Sequence, residues 1–375
     1  MNIPKLRFKE FTDEWKNIKL QKIISIYKEQ STIENQYPML TSSKQGLVLQ
    51  KDYYSNNARI TNRSNIGYNV LPYGYITYRN RSDTGFFTFN INLKLKKGLI
   101  SYFYPVFSLK NSNEYFLLNL LNTKYQFKMY AISEGTSQKV LSIANLKNLK
   151  VLYPSLEEQN KIANFLTTVD KKITNLENTI TSLENQKKGL LQQIFSQKLR
   201  FKDKNGNNYP NWEKKKLGDI LKICHGKDYK NEPNEKKLYP VLGTGGIITY
   251  IDNFLCNWKC VLIGRKGTIN KPQYMETPFW SVDTLFYSKP KTKQNPKFQY
   301  YLFQNINWIK YDESTGVPSL SASTIENISF VLPCLEEQTK IADFLSAFDR
   351  KLENQKAQLE HWKQIKKGLL QQMFV

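Results

Sequence analysis

The sequence predicts an α+β protein made of two globular mixed-sheet segments and two long antiparallel coiled-coil helices, arranged as a pseudo-twofold internal repeat. Three observations carry this reading. Leu156-Glu157-Glu158-Gln159 returns a constant 179 residues later as Leu335-Glu336-Glu337-Gln338, and the match runs to Lys187-Lys188-Gly189-Leu190-Leu191 and Lys366-Lys367-Gly368-Leu369-Leu370 without a gap. A period this long exceeds any solenoid repeat, so each copy is a domain plus a connecting element. A heptad seam follows each Leu-Glu-Glu-Gln, and short β-prone runs dominate the remainder.

The seam of the first copy is Ile162, Leu166, Val169, Ile173, Leu176, Ile180 and Leu183, then Leu190 and Ile194, with steps alternating four and three. That spacing marks a coiled-coil seam rather than the wider stripe of a globular helix. The second copy places Ile341, Leu345, Phe348, Leu352, Leu359 and Trp362 in register, with polar Gln355 and Lys366 inserted. Lys187 is the first copy's counterpart of Lys366, and polar seam residues fix register at a cost in stability. Pro154 and Pro333 stop the preceding strands, and Ser155 with Glu158 reads as a capping box. Each helix spans ~40 residues, or ~60 Å at 1.5 Å per residue. Antiparallel pairing within one chain is favoured because a whole globular segment separates the helices; a helical bundle or a self-associating coiled coil is the alternative.

The expected domains are 1–154, the helix 155–196, 197–333, and the helix 334–375. In the globular segments, β runs are expected at Gly74–Tyr78, Phe86–Leu93, Val106–Leu109, Val261–Ile263 and Thr284–Tyr287, and helices at Glu114–Asn122 and Phe298–Asn307. These segments repeat with drift. Leu6-Arg7-Phe8-Lys9 matches Leu199-Arg200-Phe201-Lys202, Tyr37-Pro38-Met39-Leu40 matches Tyr239-Pro240-Val241-Leu242, and the run ending at Arg79 lies where the second half has the run ending at Arg265.

Fifty-five Lys and Arg against 32 Asp and Glu give a formal charge of +23. Residues 156–195 and 335–374 together contribute only +1, so the excess lies in the globular segments. A folded, strongly basic, tyrosine-rich chain points to a polyanion, with nucleic acid ahead of an anionic membrane surface. No apolar stretch approaches the ~18 residues that span a bilayer. The N-terminal sequence has no apolar signal region, and four cysteines without disulfide-framework density suit a reducing cytoplasm.

One combination of motifs is specific to a family. A Gly followed by Leu-Ser, after five residues in Gly135 to Ser142 and three in Gly316 to Ser321, precedes a short β run ending in Pro154 or Pro333. Leu-Glu-Glu-Gln-x-Lys-Ile-Ala follows, then Asp170 or Asp349 and the long helix. This resembles the specificity subunits of type I restriction-modification enzymes, over the whole chain and including its duplication. One departure is that Gly135 and Gly316 lie 181 rather than 179 residues apart. The resemblance implies two target-recognition domains held by two antiparallel helices that dock methyltransferase subunits. It further implies double-stranded DNA as ligand and restriction subunits as further partners. S-adenosylmethionine, ATP and Mg²⁺ are then expected on those partners, with no cofactor in this chain. Because the globular halves differ in sequence, the implied target is bipartite and asymmetric; half-sites one helical turn apart would lie about 34 to 36 Å centre to centre, a gap that helices of this length can bridge.

Basic residues interleaved with Tyr, Asn and Ser suit phosphate contact and base-edge readout. The candidates are Lys44, Lys51, Arg59, Arg63, Arg79 and Arg81, among Tyr53, Tyr54 and Tyr78, in the first half. In the second they are Lys227, Lys230, Arg265, Lys266 and Lys271, near Gly264 and Gly267.

Catalytic apparatus is missing from the sequence. There is no Asn-Pro-Pro-Tyr or Asp-Pro-Pro-Tyr; Asn295-Pro296-Lys297-Phe298 comes nearest. Gly243-Thr244-Gly245-Gly246 lacks the spacing of a dinucleotide fingerprint, and no phosphate loop occurs. Glu235-Lys236-Lys237 reads as a solvated charge run, and His361 as a helix-surface residue. Cys224, His225, Cys256 and Cys260 have zinc-ligand chemistry but no counterpart in the first half, and buried thiols are the expected reading. The sequence therefore indicates a non-catalytic DNA-recognition subunit. The alternatives are a self-contained DNA methyltransferase or nuclease, or a coiled-coil scaffold without a DNA role.

Overall fold

The structure is a computed structural model that describes residues 3–43, 46–53 and 64–375. The chain forms two compact units, Met1–Leu176 with Gln358–Val375, and Glu177–Ala357. The long helices are Leu156–Phe195 and Leu335–Gln372, and each contributes residues to both units. Each begins with two glutamates, whose charge complements the helix N-terminus. The first ends where Gln197 turns left-handed (φ 60°) and the Leu199 amide bonds back to the Gln193 carbonyl at 3.1 Å.

The units share one frame. In the first, a four-stranded antiparallel sheet has the order Ile24–Tyr27, Val106–Leu109, Ile76–Tyr78, Phe89–Ile91. In the second the order is Leu221–Cys224, Leu285–Pro290, Cys260–Gly264, Gln273–Met275. Both units also pair a strand before the sheet with the strand before the long helix: Lys16–Lys19 with Lys150–Tyr153, and Glu213–Lys216 with Ser329–Leu332. A helix backs each sheet, Glu114–Thr123 capped by Asn113 and Pro296–Asn305 capped by Asn295. This helix starts two residues earlier than expected in the second unit because the Asn295 side chain accepts the Lys297 and Phe298 amides and Pro296 suits the first turn. The sequence nearest to a methyltransferase tetrapeptide is thus a helix start. The expected strand Phe86–Leu93 shrinks to Phe89–Ile91, with Phe86 left exposed.

The motif residues have mechanical roles. Ser142 and Ser321 cap the short helices Ile143–Asn148 and Ala322–Asn327, while Leu141 and Leu320 are buried beside them. The capping box expected at Ser155 is only half formed. Ser155 Oγ accepts the Glu158 amide at 3.3 Å, but the Glu158 carboxylate faces the core, taking Arg7 Nε and Nη2 at 2.8 Å each and Trp15 Nε1 at 3.2 Å. Glu337 does the same with Arg200 (3.1 and 2.7 Å) and Trp212 Nε1 (2.9 Å). These glutamates are 2% and 0% exposed, so a net-attractive partner is obligatory. The bonds to Glu158 hold the Arg7 guanidinium above its ordinary value.

The neighbouring glutamines bind backbone. Gln159 Oε1 accepts the Asn113 amide at 3.0 Å and its Nε2 donates to the Pro154 carbonyl at 3.0 Å. Gln338 repeats both bonds with Asn295 (3.0 Å) and Pro333 (2.9 Å). The two seam lysines find the two repeated aspartates. Lys366 Nζ lies 2.6 Å from Asp170 in the first unit, and Lys187 Nζ 2.5 Å from Asp349 in the second. Tyr115 donates to Asp170, and Tyr301 donates to Asp349 at 2.6 Å. Burial and the bond to Asp349 push the Tyr301 hydroxyl up, so it remains a donor. In the second unit, Lys356–Glu184 at 2.7 Å joins Lys187–Asp349, and the helices run antiparallel there.

Along the seams, Ile162, Leu166, Val169, Leu176, Ile180, Leu183, Ile341, Leu345 and Leu352 are buried; Ile173, Phe348, Leu359 and Trp362 are half-buried. Leu191 is buried in place of the expected Leu190, which is half-buried. Ile162 and Leu166 join the first unit's core with Met373 and Phe374, whose ring meets Phe116 at 5.4 Å. Leu191 and Ile194 join the second with Trp212, Tyr301 and Ile341.

Removing one partner of a buried ion pair costs about 3 to 5 kcal/mol. Glu337→Ala is expected at the low end, about 3 kcal/mol, because Arg200 retains access to water; urea unfolding followed through Trp212 fluorescence measures it. Lys187→Met alone is expected to lose about 2 kcal/mol by stranding Asp349, whereas Lys187→Met with Asp349→Leu recovers most of it. An additive double-mutant cycle refutes that coupling.

Candidate nucleic-acid interface

Each unit carries, beside its four-stranded sheet, a hairpin that the blurred sequence repeat conceals. In the first unit Leu40–Ser43 pairs with Gly46–Leu49, and Ser43 faces Gly46. In the second Tyr239–Gly243 pairs with Gly246–Ile251, and Gly243 faces Gly246. Gly46 and Gly246 take φ of 113° and 112°, a conformation that side chains resist although open space surrounds both. The Gly243–Gly246 run is therefore a hairpin turn. An amide from the sheet's last strand clamps each turn at the equivalent carbonyl. Asn90 Nδ2 donates to Ser43 O (3.0 Å) and Ser42 Oγ (2.8 Å); Gln273 Nε2 donates to Gly243 O (2.9 Å) and Thr244 O (3.4 Å). Parallel pairing also seats both, Met39 against Leu99 and Val241 against Trp280.

In the first unit the hairpin walls a cleft of about 460 Å³ that includes Ser42, Tyr53, Arg79, Arg81 and Phe86. Arg79 leaves the strand Ile76–Tyr78 directly, and Arg81 begins the short strand Arg81–Ser82. Both are exposed, and the Arg81 guanidinium lies 5.0 Å from the Phe103 ring centre. Asp83 also lines the cleft and accepts from Gln138 at 2.7 Å. Two guanidiniums among hydroxyls and aromatic edges can bind phosphate and read base edges. Lys51 lies on the short helix Gln50–Tyr53 and lines a separate hollow with Tyr37 and Leu95, while Tyr78 is buried in the core. Lys44, Arg59 and Arg63, with Tyr54, lie outside the described residues.

In the second unit Lys227, Arg265 and Lys271 belong to segments that adjoin the hairpin near its turn, at Leu242 and Gly243. The Lys227 amide donates to Ser281 O at 2.8 Å, and Ser281 is the strand partner of Leu242. Gly226 permits this approach, since a Cβ there would meet the Val282 carbonyl at 2.0 Å. Arg265 follows the strand Cys260–Gly264; its amide bonds Thr284 O at 2.8 Å and its Nη1 the Asp283 carbonyl at 3.4 Å, while Val282 donates to Leu242 O. Lys271 stands two residues before the clamp Gln273. Lys266 is bridged to Ser319, and the Lys230 amide bonds Asp228 at 3.2 Å. All five are exposed except half-buried Arg265.

Asn90, Gln273 and the hairpins were not singled out from the sequence. The repeated Tyr-Pro-x-Leu was their one legible sign. Cys256 and Cys260 lie with sulfurs 3.7 Å apart inside an apolar cluster that Cys224 adjoins, and the hydrogen-bond contact with Cys256 together with burial pushes the Cys260 thiol up. His225 stacks edge-on to Phe286 at 4.9 Å. Among the described residues no three His, Cys, Asp or Glu side chains are placed to hold a metal ion, and no helix is long and apolar enough to cross a membrane.

A duplicated frame of this kind, with a hairpin beside each sheet and a helix bolted to it, defines a class. The family model described as the type I restriction modification DNA specificity domain matches twice, over residues 12–185 and 209–361, and the chain belongs to that family. The MjaVIII specificity subunit of a type I restriction enzyme from Methanocaldococcus jannaschii is 24% identical over 318 residues, 73% of each chain. The MjaIX specificity subunit from the same organism is 30% identical over 176 residues, 44% of this chain and 36% of that one. Among solved structures, the type I restriction-modification S subunit from M. genitalium aligns over 100% of this chain and 99% of its own with TM-score 0.66 at 18% identity. A chain from a structural study of complex assembly and conformational transition in a type I R-M system aligns over 95% and 96%, with TM-score 0.55 at 14% identity. At such identities the likeness concerns the fold.

Arg79→Ala and Arg81→Ala are each expected to weaken duplex binding and to lower the slope of log K against log salt by about 0.9 per lost phosphate contact. Unchanged slopes in both variants exclude the cleft from the interface.

Proposed function

We propose that this chain is the non-catalytic DNA-recognition subunit of a type I restriction-modification complex, each unit reading one half of a bipartite, asymmetric target. The observation that carries the reading is one frame with two different exposed surfaces: an arginine-lined cleft in the first unit and a lysine-flanked hairpin in the second. Equal frames allow equivalent docking on duplex DNA, and unlike surfaces select unlike sequences. The charge distribution supports it, since the excess lies in the globular segments rather than in the helices.

In this reading methyltransferase subunits bring S-adenosylmethionine and flip out the target adenine, and restriction subunits bring ATP and Mg²⁺. The long helices are the docking elements for the methyltransferase subunits. The DNA-contacting residues are Lys51, Arg79, Arg81, Lys227, Lys230, Arg265, Lys266 and Lys271, with Lys44, Arg59 and Arg63 alongside. The purified chain is expected to transfer no label from S-adenosylmethionine to DNA, with or without Mg²⁺, until methyltransferase subunits are added. Turnover by the chain alone identifies a self-contained enzyme, and DNA affinity insensitive to salt identifies a scaffold. Methylome sequencing with and without the gene is expected to lose a split adenine motif.

A further inference from the structure

The two hairpins share a left-handed glycine after the turn, a clamp and a seating, but differ in register. The first has an unbroken register, and Leu47, next after its turn glycine, is 7% exposed. The second shifts register between Val241 and Leu242, so that Ile248 has no cross-strand partner. In a regular strand, successive side chains alternate between faces, and one of two neighbours turns to the core. Here Ile247 and Ile248 are 57% and 53% exposed, the result of a bulge that re-aims a side chain. Gly243 accommodates the second of them, since a Cβ there would meet Ile248 Cδ1 at 2.9 Å. Two adjoining β-branched apolar side chains are thus held outward on a clamped hairpin. Lys227 and Arg265 are bonded to the segment 281–284, which meets the hairpin at Leu242 beside its turn, and Lys271 precedes the clamp Gln273 by two residues.

Resting on the DNA-recognition reading above, we propose that the hairpin Tyr239–Ile251 enters the major groove and that Ile247 and Ile248 read thymine through its 5-methyl group. The major groove is about 12 Å wide and admits a two-stranded β-ribbon. Thymine alone presents a methyl there, and an aliphatic side chain contacts it without needing a hydrogen bond. The surrounding lysines and arginine supply the phosphate contacts that hold a ribbon in a groove, which fits a nucleic acid rather than an apolar protein surface. Among its described residues the first hairpin has no such exposed pair, so the thymine preference belongs to the half-site read by the second unit.

The test uses the assembled complex carrying the full chain, purified from its own cells, and randomised duplex pools made with either thymine or deoxyuridine. Wild type is expected to enrich a split motif with thymine in one half, and to bind it about fourfold more weakly for each contacted methyl removed, the equivalent of one buried CH₂. The Ile247→Ser, Ile248→Ser variant removes every side-chain methyl at two exposed positions, where substitution shifts stability only slightly. It should retain salt-dependent binding and the other half of the motif, while losing the distinction between the two pools. Equal discrimination by variant and wild type overturns the proposal. So does loss of partner subunits from the variant with thymine selectivity intact, which assigns the isoleucines to a protein interface. Failure of wild type itself to enrich any motif instead overturns the DNA-recognition reading on which the proposal rests.

Discussion

A buried carboxylate sits at the start of each long helix, and the geometry of each unit follows from it. Glu158 and Glu337 are almost wholly removed from water, where an uncompensated charge costs several kcal/mol. Each is neutralised by an arginine from the segment preceding its own globular part and by an indole N–H from the same segment. The constraint is directional. A bidentate guanidinium and an indole donor satisfy one carboxylate in one orientation, which locks the first turn of the helix to the edge of the sheet layer. The adjacent glutamine completes the joint by bonding the cap of the helix that backs the sheet and the proline carbonyl before its own helix. The Leu-Glu-Glu-Gln repeat is thus a mechanical joint.

Rigid joints make the second set of polar contacts meaningful. Lys187 and Lys366 occupy positions where a coiled coil ordinarily places an apolar residue, and each meets the aspartate that the repeat also duplicates. A tyrosine from the sheet-backing helix shares each aspartate. The three-way contact links helix to helix and helix pair to globular part. A shift of register along the seam separates lysine from aspartate and leaves both charges partly desolvated, so the node specifies alignment more than it adds stability.

Held in this way, the two units can diverge at their surfaces. The hairpins show the division. Turn glycine, amide clamp and parallel seating are common to both, whereas the side chains that reach solvent differ, serines beside an arginine cleft in one and a bulged pair of isoleucines in the other. Divergence confined to exposed side chains costs little folding energy, because surface substitutions away from buried partners shift stability only slightly.

From the sequence alone came the duplication, the α+β class, the two long helices, the pairing seam and the location of the excess charge. Each of these rests on a periodicity or a count, which survives without knowledge of the third dimension. The strand ending at Arg79 was matched to that ending at Arg265 because hydrophobic patterning outlasts drift in side-chain identity, and the two sit at the same place in the sheet order. Tertiary structure alone decided where the polar side chains of the motifs point. Glu158 reads locally as half of a capping box, and only the return of Arg7 and Trp15 from more than 140 residues away turns it into the core. The same holds for Asn90 and Gln273, unlike residues on corresponding edge strands that clamp the same carbonyl. Their equivalence lies in position against a partner backbone, and no local pattern encodes a partner that the chain reaches only by folding.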